Sequence, residues 1–242
     1  MPLTLHPGSR GFHVAVVQAQ LNAANATPHK LPVDGAFGLR TQAAVIAFQR
    51  RAGITADGVV GPATHTALAQ ANSITAINHD RSLIAQPTQT TCWAASTAMM
   101  IRSSVAAVRA STPAEMIAAD GSLRNSSGSD QGVVTGTRYG SIHGLRCHAP
   151  QSWSVATLIN ALRHGPLMLD ILWDSAEYAG GSGSPGHMVV ISAVVSNNQP
   201  SGDGTHLHIL DPWPPLNGNV YWVDYRKWIN EVPTRTYRIF HR

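Results

Sequence analysis

Three short segments carry the residue types that hydrolysis of an amide bond requires. In Gln86-Pro-Thr-Gln-Thr-Thr-Cys92-Trp93, a cysteine stands at the predicted start of a helix, six residues after a glutamine. The positive end of a helix and a neighbouring imidazolium both favour a thiolate over a thiol. Attack on an amide carbonyl forms an oxyanion, to which the Cys92 N–H and the Gln86 side-chain amide would donate. Cys92 is therefore predicted as a nucleophile and Gln86 as an oxyanion donor.

The other two segments supply a base and a carboxylate. His187, in Gly-His-Met-Val-Val-Ile, opens a predicted strand just after a Gly/Ser-rich loop at residues 180–185, which is predicted as a flap over substrate. Asp211, in Ile-Leu-Asp-Pro-Trp, ends a predicted neighbouring strand 24 residues later. A carboxylate beside an imidazole selects its tautomer and orientation. The spacing predicts a Cys92, His187, Asp211 triad.

These segments resemble papain-like cysteine peptidases, especially the compact bacterial forms found in secreted effectors and in bacteriocin exporters. The resemblance assigns Cys92 as the nucleophile and Gln86 as the oxyanion-hole glutamine. It also covers the Gly-His pair that contains His187 and the Asp-Pro pair that contains Asp211. The chain departs from plant papain just before Cys92, where Gln-Thr-Thr replaces a glycine-containing approach. The implied reaction is amide cleavage through an acyl-thioester.

Other interpretations of the same residues remain open. Cys92 would be inert if it were simply a small buried hydrophobic residue at the start of a core helix. His206 and His208 alternate on one strand and would bind zinc with Asp203 or Asp211, although no His-Glu-x-x-His or Cys-x-x-Cys motif accompanies them. Cys147-His148 is a second candidate dyad without a helix start or a preceding glutamine. The sequence therefore predicts no metal and no cofactor.

A repeat marks the N-terminal segment. Asp34-Gly-x-x-Gly-x-x-Thr41 returns 23 residues later as Asp57-Gly-x-x-Gly-x-x-Thr64. Each Asp-Gly pair predicts a tight turn, and each threonine lies near the start of a helix. A further helix is predicted at residues 11–24, where apolar residues recur every three or four positions. The segment is predicted to be a small three-helix domain.

This repeat resembles the peptidoglycan-binding domain attached to many bacterial cell-wall hydrolases, over about residues 8–70. The resemblance implies that the segment binds the cell wall. A purely structural or protein-docking role is the alternative, because turn geometry alone explains the repeated glycines.

The rest of the chain predicts an α+β domain. Helices are expected at 93–108 and 154–164, followed by strands at 167–173, 188–195, 206–210, 220–223 and 236–240. The predicted fold is thus a three-helix domain at residues 1–72, a linker at 73–80 and, at 81–242, a papain-like domain. That domain is expected to place the nucleophile helix first and an antiparallel sheet at its C-terminal end.

Charge and composition limit the classes of partner that the protein is expected to bind. The net charge is +4, of which residues 1–72 carry +3, from five basic side chains against Asp34 and Asp57. The basic residues are scattered, which argues against nucleic acid, and no apolar run is long enough to insert into a membrane. The first residues lack the pattern of a secretory signal peptide. We expect export by another route.

The sequence therefore predicts a cysteine hydrolase that is targeted to peptidoglycan and cuts its peptide stems or cross-links. We expect an antibacterial effector that acts in the periplasm of a target cell or extracellularly. Its further partners would be an immunity protein and a component of a secretion machine such as type VI. The alternatives are a papain-like protease acting on a protein and a non-catalytic wall-binding protein.

Overall fold

The chain folds into two compact units. The computed structural model describes residues 3–124, 136–148, 153–172, 186–231 and 237–242. Residues 1–78, 193–207 and 222–226 form the first unit, and residues 79–192, 208–221 and 227–242 form the second. The first unit thus extends past the predicted boundary at residue 72. The limits of independently folding domains at 1–72 and 81–242 stay a prediction.

Three helices form the N-terminal part of the first unit, as the repeat predicts. They are α1 (Phe12–Ala23), α2 (Leu39–Arg51) and α3 (Pro62–Ala71). Their apolar faces meet in one core that includes Val17, Phe48 and Leu68. Burial of these side chains against one another is what stabilises helices of this length, which are marginal in isolation.

Both copies of the repeat contain the same hydrogen-bond network, which includes a buried glutamine from the preceding helix. Gln18 Nε2 donates to Asp34 Oδ1 (2.8 Å) and to the hydroxyl of the following threonine (3.2 Å). Gln49 Nε2 makes the equivalent bonds to Asp57 Oδ1 (2.9 Å) and to its threonine (3.0 Å). The glutamine precedes its aspartate by 16 residues in one copy and by 8 in the other. A search at one fixed offset therefore misses it, and both carboxylates have structural roles.

The remaining elements are short helices, which predominate in the first half, and strands, which predominate in the second. They are β1 (Thr75–Asn78), α4 (Cys92–Ile101), α5 (Val105–Ser111), a 3₁₀ turn (Ala114–Met116), α6 (Gly136–Ile142), β2 (Arg146–His148), α7 (Val155–His164), β3 (Leu167–Leu172), β4 (Gly186–Ser196), β5 (Thr205–Asp211), β6 (Asn219–Asp224), α8 (Tyr225–Glu231) and β7 (Tyr237–His241). The predicted α+β fold class is confirmed. Strand β1 lies within the segment that was expected to be a linker.

The strands form one sheet in the order β2-β7-β3-β4-β5-β6, with β1 also paired to β4. The long strand β4 pairs antiparallel with β3 over its first half and with β1 over its last four residues. Strand β7 lies between β2 and β3, antiparallel to both. This register places the start of β4, which carries His187, beside the end of β3.

The single helix predicted at residues 93–108 is two helices, α4 and α5, in the structure. The expected span 93–108 breaks at Arg102, which adopts a left-handed conformation with φ 57° and ends α4. Ser104 then caps α5, because its Oγ accepts from the Ala107 N–H at 3.1 Å. By contrast, α7 ends at His164, directly before Gly165, and is capped by Ser154 as predicted. In the described part of the chain, every helix is too short or too polar to span a bilayer.

The first unit also joins the N-terminal helices to strand residues of the sheet. Ala15 and Ala19, on the second face of α1, pack against Val195 of β4. The Phe12 ring stacks on Trp222 of β6, with 6.3 Å between ring centroids. The helical repeat and these strand ends therefore share a buried apolar cluster.

Candidate active site

Cys92 is the first residue of α4, and the segment before it is tied down by threonines. The Thr91 hydroxyl accepts from the Thr88 N–H at 3.2 Å, and the Thr90 hydroxyl donates to the Asp120 carbonyl at 2.7 Å. Trp93 Nε1 donates to the neighbouring Gly121 carbonyl at 3.0 Å. The two threonines that depart from the plant papain pattern thus hold the segment before Cys92 through hydrogen bonds. Cys92 itself stays half-buried with a free thiol.

His187 and Asp211 meet where their two strands come together. The His187 imidazole Nε2 lies 2.6 Å from Asp211 Oδ1, and both side chains are buried. The same carboxylate oxygen accepts from the Trp213 N–H at 2.9 Å, which fixes its orientation. Because Nε2 faces the carboxylate, Nδ1 is the ring nitrogen left to face the thiol. The predicted carboxylate partner of His187 is therefore in place.

The thiol of Cys92 lies near enough to the His187 imidazole to help raise the pKa of His187. A buried contact between α4 and β4 supports this approach: Ser96 Oγ donates to the Met188 carbonyl at 2.6 Å. Ser96 lies one helical turn after Cys92, and Met188 directly follows His187. Sequence reasoning missed Ser96, although a serine four residues after the cysteine, on an otherwise apolar helix, is a recognisable signal.

Electrostatics favour a charged imidazole. Burial lowers the pKa of His187, but hydrogen bonds with Asp211 and Cys92 outweigh burial and raise it to about 9. The imidazolium is thus held at neutral pH, where its proton is available to a leaving amine. The His187 imidazolium can therefore pair with a thiolate and then act as a general acid.

Gln86 is fully buried beside this constellation. Its backbone N–H donates to the Pro212 carbonyl at 3.0 Å, and its carbonyl accepts from the Leu216 N–H at 2.9 Å. The side-chain Nε2 donates to the Thr88 carbonyl at 2.7 Å, while Oε1 is buried without a hydrogen-bond partner among the described residues. Gln86 is therefore anchored to the segment that follows Asp211. Its role as an oxyanion donor stays a prediction.

The second candidate dyad, Cys147-His148, does not form a thiol–imidazole pair in the structure. Burial raises the pKa of the Cys147 thiol, which donates to the His148 carbonyl at 3.4 Å. His148 Nε2 instead lies 2.7 Å from His241 Nε2. Burial therefore disfavours the Cys147 thiolate that a second dyad would need.

The two strand histidines have separate surroundings. His208 Nδ1 lies 2.6 Å from Ser192 Oγ, and His206 Nε2 lies 3.8 Å from Asp224 Oδ2. Both histidines are half-buried. Within the described ranges, no three His, Cys, Asp or Glu side chains gather to hold a metal ion. The predicted flap at 180–185 lies outside the described residues.

The raised pKa of His187 predicts the alkaline limit of activity. We expect kcat/KM to fall as pH rises through about 9, because the imidazolium loses the proton that the leaving amine needs. In Asp211→Asn, this limb should move to lower pH, since one of the groups that raise the pKa is weakened. The measurement is kcat/KM against pH for both proteins.

Asp203→Asn is the matched control. Asp203 is exposed, pairs with Arg226 at 3.0 Å and is not among the groups that shift the pKa of His187, so the alkaline limb of this variant should match that of the wild type. Identical limbs in the wild type and Asp211→Asn would contradict the assignment of Asp211.

Comparison with known protein families finds two matches, one in the N-terminal part of the chain and one in the rest of it. A family model described as a peptidoglycan binding domain matches residues 10–68. A second, described as papain-like cysteine protease AvrRpt2, matches residues 75–226. The second match includes the segments of Cys92, His187 and Asp211.

Individual relatives share shorter stretches. Over 71 residues the chain is 41% identical to a probable N-acetylmuramoyl-L-alanine amidase of Bacillus licheniformis, covering 29% of this chain and 20% of that protein. Over 67 residues it is 42% identical to the zinc D-Ala-D-Ala carboxypeptidase of Streptomyces albus G, covering 28% and 26%. The Burkholderia AP3 phage endolysin structure is 34% identical, with a TM-score of 0.27, over 45% of this chain and 36% of that one.

The chain therefore spans only 20% and 26% of the lengths of those two curated relatives. The family match is more extensive, since residues 75–226 are more than half of the 242 residues. The protein belongs to the papain-like cysteine protease family AvrRpt2, a family of hydrolytic enzymes, and carries an N-terminal peptidoglycan-binding domain.

Proposed function

We propose that this protein is a peptidoglycan hydrolase that cuts an amide bond in the peptide stems or cross-links of the wall. Cys92 is the nucleophile, His187 the acid and base, and Asp211 the group that orients His187. The observation that carries the proposal is the continuous chain of contacts from the Cys92 thiol through His187 to the Asp211 carboxylate at 2.6 Å.

The reaction follows from this arrangement. The Cys92 thiolate attacks the amide carbonyl carbon, and the C=O electron pair moves to the oxygen. As the tetrahedral intermediate collapses, the C–N bond breaks and His187 gives its proton to the leaving amine. Water then attacks the thioester carbonyl carbon while His187 takes a proton from it; the C–S bond breaks, Cys92 leaves as the thiolate, and the carboxylic acid product is released. Asp211 accepts from the Nε2–H of His187 in both charge states and keeps Nδ1 directed at the sulfur.

Gln86 is proposed to donate to the oxyanion together with the Cys92 backbone N–H. One Nε2 hydrogen is used by the Thr88 carbonyl, which leaves the second for the substrate. The two backbone hydrogen bonds from Gln86 to the segment after Asp211 hold the amide in place before substrate arrives. Such preorganised donors contribute strongly to acyl transfer.

Peptidoglycan is proposed as the substrate, rather than a protein, because a wall-binding domain lies on the same chain. Attachment to the wall raises the effective concentration of its amide bonds at the enzyme. The amidase and carboxypeptidase relatives carry names that refer to wall bonds, which also supports this choice.

Two alternatives have narrower support. A protein substrate is favoured by the family description as a cysteine protease, which applies to the part of the chain that contains Cys92. A non-catalytic wall-binding protein would need Cys92 to be inert. The partial exposure of Cys92 and its influence on the pKa of His187 argue against that alternative.

An exported antibacterial role is a further part of the proposal. A wall hydrolase of this kind would act in the periplasm of a target cell or outside the cell. A producing cell would then need an immunity protein, and delivery would need a component of a secretion machine such as type VI.

Purified sacculi test the proposed reaction. Wild-type protein should release peptide fragments with new amino termini, because each cleavage frees one amine. Cys92→Ala should bind sacculi equally well but lose at least about 10³-fold in turnover, as expected when a nucleophile is removed. Co-sedimentation measures binding, and separation of released muropeptides measures cleavage.

Cys147→Ala is the matched control and should keep wild-type turnover, since Cys147 is half-buried in a separate setting on β2. Wild-type cleavage of an unfolded protein without any release from sacculi would favour the protease alternative. Full turnover in Cys92→Ala would contradict the proposed nucleophile.

The oxyanion role of Gln86 has its own test. Gln86→Ala should lower kcat by about 10²–10³ with a smaller change in KM, because the lost hydrogen bond forms only in the transition state. Alkylation of Cys92 should persist, since the thiol keeps its contact with His187. Gln89→Ala, at an exposed position on the same segment, should leave kcat unchanged. A fall in melting temperature with near-normal kcat would assign Gln86 a structural role instead.

A further inference from the structure

Exposed apolar side chains are concentrated just after Asp211. Among the described residues, three of the large apolar side chains that are exposed lie within a few positions of one another: Trp213 (41% exposed), Leu216 (78%) and Val220 (46%). Single exposed apolar residues are normal, whereas a group of them in one place marks a binding surface. The loop at residues 212–218 also carries no charged side chain. This surface therefore suits an uncharged, apolar group.

Hydrogen bonds fix this loop to residues of the active site. The Trp213 N–H donates to the Asp211 carboxylate at 2.9 Å. The Leu216 N–H donates to the Gln86 carbonyl, also at 2.9 Å. Gly218, with φ 61°, closes the loop, because a Cβ there would lie only 2.9 Å from the Asp211 carbonyl oxygen. The loop thus begins and ends against Asp211, and its exposed side chains stand beside the reacting groups.

Leu216 adopts a backbone conformation that leucine rarely takes. Its φ is 68°, in the left-handed region that glycine and asparagine occupy at lower cost. Either residue would keep the backbone hydrogen bond to Gln86 with less strain. The leucine side chain offers little burial in return, since the residue is 78% exposed. A strained residue whose side chain contributes little to the core is expected at a functional contact.

We propose that Leu216 is a specificity-determining residue that packs against an apolar side chain next to the scissile bond. This inference rests on the proposed function, because the apolar side chains of a peptidoglycan stem are the methyl groups of its alanine residues. A charged group of the stem would lose hydration on this loop without gaining an ionic partner from it. Leu216 thus selects a bond flanked by alanine. It acts through binding, since an apolar contact away from the reacting atoms is equally strong in the ground state and the transition state.

The test compares full-length Leu216→Asn with the wild type in cleavage of soluble muropeptides, which a muramidase releases from sacculi. Asparagine tolerates the left-handed conformation, so the melting temperature should stay the same or rise by about 2–4 °C. KM should rise about 10-fold because the apolar contact is lost, while kcat should change by less than about 2-fold. Leu216→Met, which keeps an apolar side chain, should have a KM within about 2-fold of the wild type.

Synthetic stem peptides test the choice of alanine. The products identify the bond that is cut, and the alanine beside it is then replaced by glycine. This loss of one methyl group should raise the wild-type KM about 3–5-fold but leave the KM of Leu216→Asn nearly unchanged. A cut between two residues of which neither is alanine would overturn the inference, as would an equal effect of glycine on both proteins.

Arg102→Asn is the matched control. Arg102 is also exposed and left-handed, with φ 57°, but it lies at the opposite end of α4 from Cys92. This variant should resemble Leu216→Asn in melting temperature and the wild type in KM. An unchanged KM in Leu216→Asn, or a fall in kcat alone, would overturn the proposed contact.

A failure of the proposed function gives a different result. The wild type would then cleave an unfolded protein but no muropeptide, which would overturn both peptidoglycan as the substrate and the choice of alanine. A raised KM of Leu216→Asn for that protein would still support Leu216 as a substrate contact, and an unchanged KM would overturn it.

Discussion

The contact between Ser96 and the Met188 carbonyl is the constraint on which the site depends. It is 2.6 Å long, and it joins the helix that carries the thiol to the strand that carries the imidazole. Because the Ser96 side chain is fully buried, water does not compete for this hydrogen bond, which holds Ser96 of α4 beside Met188 of β4. The opposite side of the imidazole is held by Asp211, whose carboxylate is itself oriented by a backbone N–H. His187 is thereby restrained from both sides.

Local signals were enough to predict much of this site. A cysteine at a helix start, a histidine at a strand start and an aspartate at a strand end each have a pattern that lies within a few residues. Strands β3 to β7 lie within one or two residues of their predicted limits, over the residues that the structure describes. Ser154 and Gly165 predict the ends of α7 because capping and helix termination are local effects.

Features that depend on distant residues were not predictable. The break between α4 and α5 requires a left-handed Arg102, which an arginine rarely adopts. The glutamines of the N-terminal repeat precede their aspartates by unequal intervals, because the chain between them differs in length. Asp170 is a lone charge in an apolar strand, and only the pairing of β3 with β7 reveals its partner Arg238. Strand β1 gives a weak signal because it has only four residues.

The central claim is that His187 activates Cys92. The most direct measurement is peptide-mapped alkylation by iodoacetamide at about pH 6, where an unactivated thiol is almost wholly protonated. Cys92 should react much faster than Cys147, whose pKa is raised by burial, and His187→Ala should remove most of the difference. Equal rates at the two cysteines in the wild type, or a Cys92 rate unchanged by His187→Ala, would contradict the account.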